Sequence, residues 1–84
     1  DDIGININED NSVTVYGSVT IREMNKKMDW SLPEEPAKTI SGLVIDQIDT
    51  IPTGNVCINL ESYNIETSKI EGNLIKEIKI SKNT

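Results

Sequence analysis

Hydrophobic and polar residues alternate in two rhythms along this chain, with period two near both ends and a helical period between them. Isoleucines at 3, 5 and 7 alternate with Gly4 and Asn6. Period two is that of a strand, yet Gly and Asn are poor strand formers, so residues 1–8 read either as an edge strand or as a linker. Glu9 to Ser12 reads as a turn. Val13, Thr14, Val15 and Tyr16 then form a β-branched and aromatic run that stops at Gly17, as a short strand does where the backbone needs freedom.

Thr20, with Glu23 three residues on, is a capping-box pair and predicts a helix start. Ile21, Met24 and Met28 share one face of that helix, while Arg22, Glu23, Lys26 and Lys27 turn to water. Pro33-Glu34-Glu35-Pro36 bars helix continuation and reads as a stiff acidic loop anchored by Trp30. Thr39 caps a second helix, in which Ile40, Leu43, Val44 and Ile48 recur at helical spacing. Gly42 in its first turn predicts a close approach by another group, and Ile51-Pro52-Thr53-Gly54 predicts its end.

From Val56 the period returns to two. Val56, Ile58 and Leu60 alternate with Cys57 and Asn59, and Tyr63 to Thr67 repeats the pattern. Glu71-Gly72-Asn73 is a tight hairpin signal, and the apolar positions 74, 75, 78 and 80 change phase once, which predicts a bulge. The expected fold is therefore α+β, in the order strand, helix, helix, strand, strand, strand: an antiparallel sheet with two helices on one face.

Composition narrows the chemistry. Eighty-four residues make one domain with one core, and with 4% aromatic residues and no Phe that core must be Ile, Val and Leu. The chain opens on Asp1 with no basic and apolar leader, as a segment of a longer protein would. Thr39 to Ile45, the uncharged hydrophobic stretch, is far below the roughly 20 residues of a membrane span, so direct membrane insertion is not expected. Net charge is -6, with ten acidic and four basic residues in positions 1–50 and four of each in 51–84. Without a cationic stripe, nucleic acid and anionic headgroups are poor partners.

The absence of His removes Ser-His and Cys-His nucleophilic systems and imidazole metal sites. Cys57 is the single cysteine and reads as a small sheet residue in a reducing compartment. Glu34 with Glu35, and Asp46 with Asp49 on one helix face, are the carboxylate pairs that could meet a hard cation, but neither brings a full ligand set. Asp10, Asn11 and Ser12 resemble the start of a calcium loop that lacks its central Gly and closing Glu. Tyr16 and Trp30 could line a partner surface or act as half-buried anchors. No catalytic or metal residue is assigned, no cofactor-binding residue is identified, and an enzyme is not expected.

Five motifs follow one another along the chain: Tyr16-Gly17 before the capped helix, Leu32-Pro33-Glu34-Glu35, Thr39-Ile40-Ser41-Gly42-Leu43-Val44, Ile51-Pro52-Thr53-Gly54, and Ile75-Lys76-Glu77-Ile78. In order and spacing they resemble the CorC/HlyC transporter-associated domain, here 9–84, after the linker or edge strand of 1–8. The resemblance implies a C-terminal domain that follows a CNNM-type membrane region and a pair of CBS domains, on the cytoplasmic face of the bacterial inner membrane. The host would be a magnesium and cobalt efflux or haemolysin-like protein. The family fold is similar to part of the PCMH-type FAD-binding fold. Two functions from different classes thus stay open: a non-catalytic regulatory module that docks on the CBS and membrane domains of its own chain or on itself as a homodimer, and, as the alternative, a module binding FAD or an adenine nucleotide by fold analogy alone. Self-association is expected to use an exposed strand edge, either the isoleucine alternation at 3–7 or the last strand.

Overall fold

The structure, a computed structural model, describes residues 4–49 and 54–82. Its elements in chain order are β1 (Ile5–Ile7), β2 (Val13–Tyr16), α1 (Ile21–Met28), α2 (Ile40–Ile48), β3 (Cys57–Leu60), β4 (Tyr63–Glu71) and β5 (Leu74–Lys82). All five strands join one antiparallel sheet in the order β1-β2-β5-β4-β3. Of the alternatives for the first residues, 5–7 are therefore an edge strand, while Ile3 lies outside the described residues.

The last strand is central, which corrects the expectation that it offers a free edge. Its isoleucines explain the position. Ile80 pairs with Val13 on one side and Ile65 on the other, and Ile78 pairs with Val15 and Thr67. Two cross-strand rows thereby run across the sheet on one face, the arrangement in which side chains of neighbouring strands stabilise one another. Val13, Val15, Ile65, Ile78 and Ile80 are buried there with Ile21 and Met24 of α1 and Ile40, Leu43 and Val44 of α2.

The predicted phase change in the last strand is real and has a counterpart. Thr67 pairs with Ile78, Lys69 with Glu77 and Ile70 with Ile75, so Ser68 on β4 and Lys76 on β5 are each one residue too many. The two irregularities cancel, and the register beyond them is restored. One consequence was not foreseen: Ile75, Ile78 and Ile80 are buried, but Leu74 stays exposed.

Both helices start as their sequences predict. The Thr20 and Thr39 hydroxyls accept the backbone N–H of Glu23 and Gly42, each at 3.1 Å. The two caps also pair with each other as an antiparallel bridge, with Ile21 N–H donating to Lys38 C=O at 2.8 Å and Ile40 N–H to Val19 C=O at 3.0 Å. Each helix ends on an aspartate in the left-handed region, Asp29 at φ 58° and Asp49 at φ 61°. The end of α2 thus lies at Asp49, ahead of the expected Ile51-Pro52-Thr53 stop, which is outside the described residues.

Gly17, not Gly42, makes the tightest crossing in the fold. Its N–H donates to Lys76 C=O and its C=O accepts from Ser41 N–H, both at 3.0 Å, so it lies between β5 and the first turn of α2. A Cβ here would collide with the Ile75 carbonyl oxygen and stand 2.9 Å from the Ser41 Cβ. The requirement is for space, since the φ of Gly17 is not in the positive region; strand termination alone does not reveal it.

The loop after α1 is held by polar contacts. Asn25 donates through Nδ2 to Leu32 C=O and accepts from Leu32 N–H, both at 2.9 Å. Trp30 anchors the loop as expected, its ring 5.2 Å from that of Tyr63 and tilted by 54°. The Tyr63 hydroxyl accepts from Ser31 N–H at 2.8 Å, tying the loop to β4.

Two substitutions test this account. Gly17→Ala is expected to cost about 3 kcal/mol through overpacking against backbone and lower Tm by more than about 10 °C in thermal melts, whereas Gly42→Ala changes Tm by only a few degrees. Asn25→Ala is expected to cost about 2 kcal/mol in denaturant unfolding by stranding the Leu32 amide and carbonyl, with Asn25→Asp, which keeps the acceptor, falling between.

Candidate functional site

The helices cover one face of the sheet and leave the other to solvent. Along the strands, Thr14 and Tyr16 of β2, Glu77 and Lys79 of β5 and Asn64 and Glu66 of β4 alternate with the core residues and therefore occupy that open face. Three large hydrophobic side chains are exposed among the described residues: Ile7 at 58%, Leu74 at 56% and Tyr16 at 48%. Two of them, Tyr16 and Leu74, line a single groove of about 420 Å³ together with Ser18, Lys69, Lys76 and Glu77.

Secondary structure builds this groove. β2 stops at Tyr16 and the chain turns away through Gly17, while the extra residue Lys76 kinks β5 beside it. Ile75 C=O stands where a side chain on residue 17 would otherwise be, so backbone lies close beneath the opening. Lys69 is paired with Glu71 at 3.5 Å, both exposed. The groove thus offers an aromatic ring, an aliphatic side chain, two ammonium groups and the Glu77 carboxylate, a mixed apolar and polar lining.

The carboxylates singled out in the sequence have these surroundings. Glu34 accepts from Asn25 Nδ2 at 3.2 Å, Glu35 pairs with Lys38 at 2.9 Å, Asp46 is exposed, and Asp49 is the left-handed cap of α2. No group of three or more Cys, Asp or Glu side chains able to hold a metal ion occurs among the described residues. Asp10, Asn11 and Ser12 form the turn between β1 and β2, with Asn11 at φ 70°. There Asp10 Oδ1 accepts from the Ser12 hydroxyl at 2.5 Å and its N–H at 3.1 Å, and Oδ2 lies 3.7 Å from Lys79 Nζ. These groups hold the Asp10 carboxyl below its ordinary value, the Ser12 hydroxyl contributing most. Cys57 is exposed on β3, its sulfur 4.0 Å from Asn64 Oδ1.

A flavin dinucleotide fits this donor set poorly. A pyrophosphate needs free backbone N–H groups at a helix start. At α2 the amides of Ile40, Ser41 and Gly42 already donate to Val19 C=O, Gly17 C=O and Thr39 Oγ1. Sequence reasoning had marked Tyr16 but missed Leu74, Lys69 and Asn25; the Leu74-Ile75 pair of consecutive apolar residues was the available signal, since only one of two neighbours can face the core of a strand.

These features define a class: a small two-layer α+β domain with a helix-covered sheet face, an open one and a groove lined by Tyr16 and Leu74. The chain belongs to the CorC_HlyC family, the transporter associated domain, whose model matches residues 6–84. It is 32% identical over 71 residues to an Escherichia coli (strain K12) protein called UPF0053 inner membrane protein YfjD, an alignment covering 84% of this chain but only 17% of that protein. Among solved structures, the transporter associated domain from a CBS domain protein of Porphyromonas gingivalis superposes with a TM-score of 0.84 at 20% identity, over 98% of this chain and 100% of that one. The CorC_HlyC domain of a Xylella fastidiosa Temecula1 hemolysin, in complex with Mg++ and Mn++, gives a TM-score of 0.82 at 19% identity, over 95% of this chain and 98% of the other. No helix among the described residues is long and apolar enough to cross a membrane.

The Asp10 contacts carry a pH signature. A carboxyl titrating lower in the folded than in the unfolded chain contributes stability that is complete above the ordinary carboxylate range and lost as pH falls through the lowered value. Melting curves are therefore expected to show wild type above Asp10→Ala at pH 7, with the gap closing on acidification below the ordinary Asp range.

Proposed function

We propose that this domain is a non-catalytic regulatory module of a bacterial inner-membrane ion efflux protein of the magnesium and cobalt type, and that it works by docking on the remainder of its own host chain. The occupant assigned to the groove is the adjoining CBS pair, on the cytoplasmic face of the membrane. The observation that carries this reading is the clustering of two of the three exposed large hydrophobic residues, Tyr16 and Leu74, in one groove flanked by Lys69 and Lys76. Exposed apolar residues gathered into a concave patch mark interaction sites, whereas scattered ones carry no such meaning. One fact supports an occupant from the same chain. The matched segment is 17% of the length of its Escherichia coli relative, so in such a host most of the polypeptide lies outside the domain and is held close to it.

The test uses the full-length host protein with Tyr16→Ala and Leu74→Ser combined. Cross-linking between domain and CBS pair is expected to fall by about tenfold, as the loss of an apolar anchor worth about 1.4 kcal/mol would produce, and ion efflux to change with the folded domain intact. Unchanged cross-linking with unchanged efflux overturns the reading. A thermal-shift titration of the domain with FAD, AMP and ATP is expected to show no change; about 2.7 kcal/mol of stabilisation at 100 times Kd would favour a ligand-binding module instead.

A further inference from the structure

Strand edges commonly carry devices that prevent pairing with another chain: lysine, proline, a bulge or very short length. β1 meets this description, being three residues long and following Gly4 at φ 89°. β3 at the opposite edge is also short, at four residues, but it carries no lysine, no proline and no bulge. From Gly54 to Leu60 the chain carries no charge and no proline, in a protein of net charge -6. No register shift interrupts the β3–β4 ladder.

The free edge of β3 can be read residue by residue. Thr67 N–H donates to Val56 C=O at 2.9 Å, and Val56 N–H donates to Thr67 Oγ1 at 2.8 Å, so the backbone groups of Val56 face β4. Backbone direction alternates along a strand. Ile58 and Leu60 therefore also face β4, opposite Ile65 and Tyr63, while the N–H and C=O of Cys57 and Asn59 point away from the sheet. β3 is the terminal strand of the sheet order, so among the described residues no strand receives those four groups.

We propose that this edge pairs with the β3 edge of a second copy of the chain, antiparallel about a two-fold axis through Ile58. In that register Cys57 faces Asn59 of the other copy and Asn59 faces its Cys57, so all four outward groups on each strand are satisfied by four backbone hydrogen bonds. Side chains match as well. The half-buried row Val56, Ile58 and Leu60 on the helix side meets its own image, and the exposed Cys57 and Asn59 meet theirs on the open side. A second copy of a chain at net charge -6 is repelled by most surfaces that carry that charge; the uncharged segment from 54 to 60 is the part of the edge where approach opposes no like charges. Pairing joins two five-stranded sheets into one of ten strands and leaves the Tyr16 and Leu74 groove open, because none of the groove residues belongs to β3. The inference is thus independent of groove docking.

One short strand makes an interface of the small, transient class, so association appears at high concentration or where a membrane confines the copies. The experiment is amide hydrogen exchange and sedimentation velocity on the domain from about 20 μM to about 1 mM. Exchange at the Cys57 and Asn59 amides is expected to slow by about fivefold across that range, with a matching rise in mean mass, while the Asn6 amide is unaffected. Asn59→Pro, which removes an outward N–H that β4 does not use, and Asn59→Lys, which sets two like charges facing the partner strand, are both expected to remain folded and monomeric at every concentration. A mass that stays monomeric to about 1 mM, or a dimer that leaves the Cys57 and Asn59 amides unprotected or survives both substitutions, overturns the proposal.

Discussion

The fold depends on how closely three backbone segments approach one another at Gly17. This residue hydrogen-bonds β5 through its N–H and the first turn of α2 through its C=O, and no side chain can be accommodated between them. The contact is made at 3.0 Å on both sides, so main chain as well as side-chain packing holds α2 against the sheet. From it follow the pairing of the two helix caps, with Ile40 N–H on Val19 C=O and Ile21 N–H on Lys38 C=O, and the common origin of both helices at one end of the sheet. Helix amides that would otherwise face solvent are satisfied internally, which is also why the start of α2 has nothing to offer a pyrophosphate.

A second constraint is that only one face of the sheet is covered. A two-layer domain needs just one apolar sheet face, and the rows Val13-Ile80-Ile65 and Val15-Ile78-Thr67 provide it. The open face then carries Thr, Asn, Lys and Glu, as an antiparallel sheet facing water should. Against that background Tyr16 and Leu74 stand out physically, because neither is required by the core. Both stay exposed, whereas Trp30 and Tyr63, the other two aromatic residues, pack on each other, and the Tyr63 hydroxyl takes the Ser31 amide within the chain.

Local signals in the sequence were sufficient for the elements and insufficient for their arrangement. Thr20 with Glu23, Thr39 before Ile40, and Gly72-Asn73 between apolar runs each act over a few residues, and each marks the boundary it predicts. The central position of β5 was not legible, since strand order depends on which side chains meet across the sheet, and Ile75, Ile78 and Ile80 fit an edge pattern as well as a central one. Gly17 resembled an ordinary strand stop because the close approach involves Lys76 and Ser41, distant in sequence. Asn25 carries no local signal of its role; its bidentate grip on Leu32 becomes visible only when the loop folds back. The groove was half legible, through Tyr16, while Leu74 figured in the sequence only among the positions that change phase, because the bulge that turns it outward is set jointly by β4 and β5.

That paired irregularity connects stability to the proposed role. An isolated bulge in β5 would move every later side chain to the wrong face, so the extra Lys76 is tolerated because Ser68 compensates for it on the neighbouring strand. The kink lies beside Gly17, and the groove is bounded by both. Its shape is therefore held by hydrogen-bonded backbone of the central strand and not by a mobile loop. A surface held in this way loses little conformational entropy when a partner docks, so affinity comes from a few side chains on a prepared frame. The same backbone constraint that seats α2 on the sheet thus prepares the groove, and a substitution at Gly17 would be felt at Tyr16 and Leu74 even where it leaves the domain folded.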